Sequence, residues 1–207
     1  MVRALESLQR GEILIPHEEE YQPVMAVRNT LLQASLSELR DAGYYERYAR
    51  NIDPAILREL SSNLAPSWVS IDLADAHYQA CDEMSLSTEE LHGLGQAVGV
   101  RVRQTSIVVA DNRTSNAPVD VWTIIGHLHR VWKRVYQGGS VQITRLGPRD
   151  ELIELRGHTL YRHAYYRFAS LAAITAAHEA VGARIELNRI VRYDVMTHEI
   201  VYHLAWA

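Results

Sequence analysis

Apolar positions from Pro118 onward switch between a helical and a strand period, and this stretch carries the clearest pattern in the chain. Over 121–135 apolar residues recur at three- and four-residue spacing, which predicts one helix that begins at Pro118 and has a single core-facing side. Residues 140–146 and 151–156 predict two strands, since the turn residues at 147–150 (Gly-Pro-Arg-Asp) separate them. The stretch therefore opens with a helix and a hairpin.

A second helix and hairpin follow. Helical spacing extends from Leu160 to Val181, and Gly182 ends the predicted helix. Residues 184–192 predict a strand, and apolar residues alternate with a period of two over 200–206. Two antiparallel hairpins that flank a helix are expected to merge into one sheet with the helix on one face. The sequence therefore predicts a ββαββ layer.

The residues before this layer predict helices. Helical spacing and helix-start residues mark three of them, at 27–42, 54–62 and 71–84. Ser87-Thr88-Glu89-Glu90 is a capping box, which predicts a further helix that begins at Thr88. Gly95 and Gly99 lie on this helix, where each costs roughly 1 kcal/mol relative to alanine. We expect another element to pack closely against these two glycines.

Together the elements predict an α+β fold, in which a helical N-terminal half packs on a C-terminal ββαββ four-stranded antiparallel sheet. We expect an N-terminal extension over 1–27 and a single α+β domain over 28–207. Within the domain, the helical half spans 28–112 and the ββαββ half spans 118–207, with a polar connection at 110–116. The chain has 207 residues and is 47% apolar, which suffices for one sizeable core.

Net charge and cysteine content restrict the partners and the compartment. The formal net charge of -4 gives no general attraction to nucleic acid or to anionic lipid, so we expect neither partner. Cys81 is the single cysteine and cannot form an internal disulfide. Residues 1–16 lack the apolar centre of a signal peptide, and no apolar run approaches the ~20 residues of a membrane span. These features favour a cytoplasmic protein.

Motifs of the common enzyme classes are absent from the sequence. It contains no phosphate-binding glycine loop, nucleophile elbow, HExxH pair or CxxC pair. His127 and His129 lie on opposite edges of the apolar stripe of their helix, so they cannot bind one metal ion together. We therefore predict no catalytic residue and no metal site, and we expect the protein not to be an enzyme.

Tyrosine is unusually frequent, with 11 tyrosines against one phenylalanine. A buried tyrosine needs a partner for its hydroxyl, and the residue suits a pocket or a dimer interface with one hydrated edge. Ordinary amphipathic packing accounts for the tyrosine clusters nearly as well. In the pocket interpretation, Trp132, Tyr161 and Tyr165 line a site for a small apolar ligand.

Most of the chain, about residues 28–206, resembles a family of paralogous proteins of unknown function that is abundant in myxobacteria. The resemblance is carried by three runs: RNTLLQASLSELRDAGYYERYARNIDP, SWVSIDLADAHYQACDEMSLSTEELHGLGQAVG and VWKRVYQGGSVQITRLGPRDELIELRG. It is a match of spacing and residue type that includes no catalytic motif. The resemblance therefore implies kinship and no particular activity.

The order of elements is similar, more distantly, to haem nitric-oxide/oxygen-binding domains and to the vinyl-4-reductase and TRAPP-subunit folds. In the gas sensors a histidine on the helix before the sheet ligates haem, and His129 falls at about that place. The sensors also carry a Tyr-x-Ser-x-Arg motif for the haem propionates, whereas the corresponding residues 156–162 read RGHTLYR. The resemblance thus implies a haem site at His129, and the sequence departs from it at the propionate motif.

These observations lead to one main functional prediction and one alternative. The main prediction is a non-catalytic cytoplasmic binding or regulatory module without a cofactor, which acts through protein contacts or a small apolar ligand. We expect it to form a homo-oligomer, such as a homodimer, or to bind a protein partner. The alternative is a haem-based gas sensor with His129 as the axial ligand.

Overall fold

A computed structural model of the protein describes residues 11–64, 66–104 and 121–207. The helices are α1 Asn29–Asp41, α2 Tyr45–Asn51, α3 Pro54–Ser62, α4 Ile71–Asp82, α5 Thr88–Gln104, α6 Val121–Ile125, α7 Leu128–Val135 and α8 Ala164–Glu179, with a 3-10 helix at Thr159–Arg162. The strands are β1 Glu12–Ile15, β2 Ala26–Arg28, β3 Trp68–Ser70, β4 Tyr136–Gln137, β5 Ser140–Gly147, β6 Asp150–Arg156, β7 Ile185–Asp194 and β8 Glu199–Trp206. None of the helices in these ranges combines the length and hydropathy that a bilayer span requires.

The main sheet has five strands in the order β1-β5-β6-β8-β7, and each neighbouring pair is antiparallel. The two predicted hairpins join through β6 and β8, where Ile153 lies opposite Tyr202. Ile200, Tyr202 and Leu204 are fully buried, as their alternation predicted. The α+β class and the merger of the two hairpins are therefore confirmed.

Strand β1 adds a fifth strand to the four that the sequence predicted. It pairs with β5 through Glu12 and Arg145, so residues from the segment 1–27 complete one edge of the sheet. A second, three-stranded sheet has the order β3-β2-β4 and was not predicted. Its strands have only two or three residues each, which is too short for a period to be recognised in the sequence.

The single helix predicted to begin at Pro118 is wrong over its described part, because two helices, α6 and α7, replace it. The N–H of Gly126 bonds the Trp122 carbonyl and closes α6, and the N–H of Arg130 bonds the His127 carbonyl at 2.9 Å in a tighter turn. Glycine has low helix propensity, which favours a break at this position. Residues 118–120 lie outside the described ranges.

Helices α5 and α8 pack closely through small residues. A β-carbon at Gly95 would lie 2.6 Å from the Ala169 Cα, and one at Gly99 would lie 2.7 Å from the Ala173 Cα. The expected close packing against these glycines is confirmed, and its partner is α8. The same helix lies on the sheet, where the Tyr202 hydroxyl donates to the Arg167 carbonyl at 3.2 Å. Helix α8 is thus held between α5 and the sheet.

Candidate ligand-binding cavity

A partly open cavity of about 460 Å³ lies between α8, α7 and strand β6. This volume falls within the range of roughly 300–1,000 Å³ that is usual for small-molecule sites. Ile153 and Leu155 of β6 contribute to its wall. Helix α7 contributes residues at positions i, i+3, i+4 and i+7, which share one helical face: Leu128, Val131, Trp132 and Val135.

The cavity exists because α8 presents small side chains to it. Ala169, Ala173 and Ala177 recur every four residues along the cavity wall, so they share one face of the helix. An alanine side chain ends at its β-carbon, and a row of them leaves volume that leucine or phenylalanine would fill. The aromatic residues of the wall stand around this space: Tyr78, Trp132, Tyr136, Tyr161 and Tyr166.

One part of the wall holds a chain of hydrogen bonds among aromatic residues. The hydroxyl oxygens of Tyr136 and Tyr166 are 2.7 Å apart, and the Tyr166 hydroxyl lies 2.8 Å from Nε2 of His158. His158 is fully buried behind this wall. Burial, with a smaller contribution from the charge of His198, lowers the pKa of His158 to about 3. Burial raises the pKa of Tyr136 to about 12, so this part of the wall is polar but uncharged near neutral pH.

Tyr161 stands beside this chain and has an unused hydrogen-bonding group. Its ring centroid lies 5.1 Å from that of His158, the residue is 1% exposed, and it lines the cavity. Its hydroxyl is buried without a hydrogen-bond partner, as is Nδ1 of His158. Burial raises the pKa of Tyr161, which keeps the phenol protonated and able to donate. A buried donor without an acceptor is costly, so this hydroxyl requires an explanation.

A buried ion pair lies at another part of the wall. Nε2 of His178, which lines the cavity, is 2.8 Å from Oε1 of Glu151, and its Nδ1 is 2.9 Å from the Ile174 carbonyl. The Ile174 carbonyl can only accept, so Nδ1 carries a hydrogen, and the Glu151 carboxyl favours a second hydrogen at Nε2. Burial alone would lower the pKa of His178, but the hydrogen bond and charge of Glu151 raise it overall. Both nitrogens are therefore occupied within the protein.

The residues predicted from the sequence for a pocket fall in two different places. Trp132 and Tyr161 line the cavity, and the indole N–H of Trp132 also donates to the Gly138 carbonyl at 2.9 Å. Tyr165 is buried away from the cavity wall, and its hydroxyl lies 3.0 Å from that of Ser35. His129 is half-buried on α7 and is not among the described residues that line the cavity.

Three residues of the cavity wall were not predicted from the sequence to share a site: Tyr136, Tyr166 and His178. Tyr136 and His178 are 42 positions apart, and only the placement of α8 against α7 and the sheet brings them to one cavity. The spacing of the three alanines on α8 was available as a signal. A row of small residues facing an aromatic helix is compatible with a cavity as well as with close helix packing, so the signal does not separate the two.

Comparison with known proteins finds similarity in structure alone. No family model matches the chain, and no curated protein matches it by sequence. An unliganded Fe(II) H-NOX mutant from K. algicida is 8% identical, with a TM-score of 0.59 over 87% of this chain and 96% of its own. An oxygen-binding H-NOX domain related to soluble guanylate cyclases, in its oxygen complex, is 10% identical, with a TM-score of 0.57 over 86% and 94%. A structure on haem distortion in the H-NOX family is 10% identical, with a TM-score of 0.58 over 86% and 94%.

These similarities confirm the fold that the distant resemblance implied, that of haem nitric-oxide/oxygen-binding (H-NOX) domains. The prediction that the protein has no cofactor is contradicted, because the solved structures that share this fold are haem-binding H-NOX proteins. The resemblance to a myxobacterial family stays a prediction, as do the homo-oligomer and the protein partner.

The described cavity wall suits the apolar ring of a haem better than it suits the iron or the propionates. Its apolar and aromatic surface suits a porphyrin ring, but an iron ligand of the imidazole type is not offered: His178 is the one histidine in the described wall, and both its nitrogens are bonded. The raised pKa of Tyr161 opposes a tyrosinate ligand. The described wall also contains no arginine or lysine to pair with propionates. His129 does not reach this wall, so the described residues do not form a haem site of the kind the resemblance implies.

Proposed function

We propose that this chain is a non-catalytic sensor domain with the H-NOX fold, which reports the binding of a small ligand in the cavity between α8, α7 and the sheet. The observation that carries the proposal is the cavity of about 460 Å³ between α8, α7 and the sheet, with its aromatic wall. Apolar pockets with a few converging polar groups are the usual form of small-molecule sites. The solved neighbours support the same class of function, since one of them is an oxygen-binding domain in its oxygen complex.

Helix α7 is suited to transmit the presence of a ligand in the cavity to the protein surface. One face of this helix lines the cavity through Trp132 and its neighbours, and the other face carries exposed Arg130 and Lys133. Lys133 pairs at the surface with Glu18 at 2.7 Å. A ligand that packs against Trp132 therefore acts directly on a helix whose opposite face is available to a partner. A protein partner or a second copy of the chain would detect the ligand through this surface.

A haem-based gas sensor is the second candidate, and the shared fold is the observation that favours it. In this version haem is the bound group and supplies the gas-binding iron. Its test is reconstitution with haemin, followed by measurement of the Soret band in the wild-type protein and in His129→Ala. A Soret shift that requires His129 would support ligation by this residue. A wild-type protein that gives no Soret shift on titration would exclude the haem version.

The general proposal is tested with the neutral fluorescent probe N-phenyl-1-naphthylamine. We expect saturable binding with one site per chain, and a loss of binding in Ala177→Phe, because phenylalanine at this wall position fills the cavity. The matched control is Ala97→Phe, since Ala97 is a half-buried helical alanine of α5 that is not among the wall residues. Circular dichroism and thermal unfolding establish that both variants are folded.

The two variants should differ in their binding of the naphthylamine probe. Binding that survives Ala177→Phe, or that both folded variants lose equally, would contradict a site in this cavity. A wild-type protein that binds neither the naphthylamine probe nor haemin would contradict the proposed function as a whole.

A further inference from the structure

We infer that the outer edge of strand β7 binds an extended, acidic segment of a partner protein, which adds to the main sheet as a further strand. The inference goes beyond the proposed function, because the described residues beside this edge and those of the cavity wall form two separate sets. It rests on an open strand edge, on two faces of that strand with different chemistry, and on a local excess of positive charge.

Strand β7 forms one edge of the main sheet, and among the described strands β8 is its only neighbour. A groove of about 480 Å³ runs along β7, and six consecutive residues of the strand, 188–193, line it. Successive side chains of a strand point to opposite faces, so a lining of six in a row places the groove against the backbone edge. The N–H and C=O groups of such an edge are a template for a further strand.

One face of β7 at the groove is apolar. Ile190 lies opposite Tyr202, whose hydroxyl bonds a carbonyl of α8, so Ile190 points towards α8. On that side α8 contributes Phe168 and Leu171 to the groove. The ring of Tyr193, which is 49% exposed, also lines it. Apolar side chains of an added strand would be covered on this face.

The opposite face of β7 is basic. Arg189 lies opposite His203, and Arg192 lies opposite Val201. Both of these β8 residues adjoin Tyr202, so the two arginines point away from α8. Residues three apart in a regular strand would diverge, and the bulge just before Arg192 gives the two arginines a common face. Acidic side chains of an added strand would meet both guanidinium groups.

The groove is positive on a chain whose formal net charge is -4. Arg167, Arg189 and Arg192 line it, and its described lining contains no carboxylate. Arg167 donates to two backbone carbonyls, and Arg189 donates to Nδ1 of His203 at 3.2 Å, so these contacts supply no negative charge. Arg192 is partly compensated, since carboxylates of β8 and β6 lie 3.5 and 3.8 Å away. Partner carboxylates would form charge-assisted hydrogen bonds here.

A second copy of the chain suits this edge less well. Antiparallel pairing of two β7 edges about a twofold axis keeps the basic faces of both strands on the same side. Arg189 and Arg192 would then lie beside the same arginines of the other copy, and like charges on neighbouring strands are destabilising. The edge instead matches a segment in which apolar and acidic residues alternate.

The first test measures fluorescence anisotropy of a fluorescein-labelled peptide of about eight residues, an ordinary strand length, in which glutamate alternates with valine. Three matched peptides carry lysine for glutamate, serine for valine, or a methyl group on every backbone nitrogen. They test the charge, the apolar face and the backbone pairing in turn. We expect saturable binding of the glutamate-valine peptide below about 1 mM, and binding of each matched peptide that is weaker by about tenfold or more.

The second test reverses the charge of the edge. Arg189→Glu should weaken the glutamate-valine peptide by about tenfold or more and strengthen the lysine peptide. Arg58→Glu is the matched control, since Arg58 is an exposed arginine of α3 that is not among the groove residues, and it should leave both affinities unchanged. Circular dichroism establishes that the variants are folded. Arg189→Gln, a milder change, should give a smaller loss in the same direction.

Several results would overturn the inference. Folded wild-type protein that gives no saturable binding of the glutamate-valine peptide would remove the site. Equal affinity for the methylated peptide would show that charge alone holds the segment, without strand addition. Tighter binding of a single-stranded oligothymidylate would assign the edge to nucleic acid, and a dimer that the peptide dissociates in sedimentation would assign it to a second copy. The naphthylamine probe reports on the cavity separately, so the proposed function stands or fails independently.

Discussion

Nε2 of His158 lies 2.8 Å from the hydroxyl oxygen of Tyr166, and both residues are buried behind or along the cavity wall. Burial lowers the pKa of His158 to about 3. His77 is a second fully buried histidine, and burial, with the charge of His163, lowers its pKa to about 3 as well. The folded protein thus keeps two imidazoles neutral. In the unfolded chain both would be protonated below the ordinary histidine pKa of 6.5.

Acid should therefore destabilise the protein through these histidines. Between pH 6.5 and about 3 the unfolded state binds more protons than the folded state, so the free energy of unfolding falls as the pH falls. Each histidine contributes about 1.4 kcal/mol per pH unit well below pH 6.5. We expect His158→Gln to show a shallower loss than wild type in urea unfolding at pH 6.5, 5.5 and 4.5. Leu155→Val is the control, since it should lower stability equally at each pH. If His158→Gln left the slope of the free energy of unfolding against pH unaltered, the prediction would be contradicted.

The buried pair of His178 and Glu151 has the opposite dependence on pH. The pKa of His178 is raised in the folded state, so its stabilisation is complete below pH 6.5 and is lost as the pH rises through the folded pKa. Glu151→Gln removes the carboxylate that raises this pKa. We expect this variant to be less stable than wild type by about 3–5 kcal/mol at pH 6, because it leaves a buried group unpaired. The difference in stability between wild type and Glu151→Gln should shrink towards pH 9, as measured by thermal or urea unfolding. A difference that stays constant with pH would count against the pair.

Close packing of α5 on α8 predicts opposite effects of two similar substitutions. Gly95→Ala places a methyl group 2.6 Å from the Ala169 Cα, so we expect a loss of about 1–3 kcal/mol in the free energy of unfolding. Gly93 lies on the same helix, and a β-carbon added there would meet no other element within 4 Å. Gly93→Ala should therefore stabilise the protein by about 1 kcal/mol through helix propensity. Urea unfolding of both variants gives the comparison, and a stabilising Gly95→Ala would contradict the packing.

Asp82 caps a helix that is distant from it in sequence. Its carboxylate accepts hydrogen bonds from the backbone N–H groups of Ala164 at 2.9 Å and Tyr165 at 2.7 Å, at the start of α8. We expect Asp82→Ala to cost about 0.5–2 kcal/mol in the free energy of unfolding. Asp82→Asn keeps one of the two acceptor oxygens and should recover part of this loss. Equal effects of the alanine and asparagine variants would show that the cap is not the source of the stabilisation.

The sequence predicted local features where neighbouring residues form them. The capping box is an example: the N–H of Ser87 donates to Oε2 of Glu90 at 2.7 Å, and the N–H of Glu90 donates to Oγ of Ser87 at 3.3 Å, as helix α5 begins at Thr88. The hairpins were predictable for the same reason, because a period of two and a turn lie within a few residues of each other. Where a feature depends on distant residues, prediction from the sequence was weaker.

The haem hypothesis shows this difference at single residues. His129 was chosen for its position along the chain, and the structure directs the neighbouring face of α7, including Leu128 and Trp132, towards the cavity. Adjacent helical residues differ by about 100° in direction, so a correct helix still leaves the inward residue undetermined. Tyr161 and Tyr165, which lie four residues apart, divide between the cavity and the Ser35 contact in the same way.

By itself, the sequence determined the class of fold, most helix and strand positions, the meeting of the two hairpins and the close approach at Gly95 and Gly99. Only the tertiary structure decided that β1 completes the sheet, that α6 and α7 are separate, and that a cavity lies between α8, α7 and the sheet. The physical reason is that periodicity and capping arise from residues in contact along the chain. A cavity is the volume that remains between elements, and it depends on how those elements are placed relative to one another.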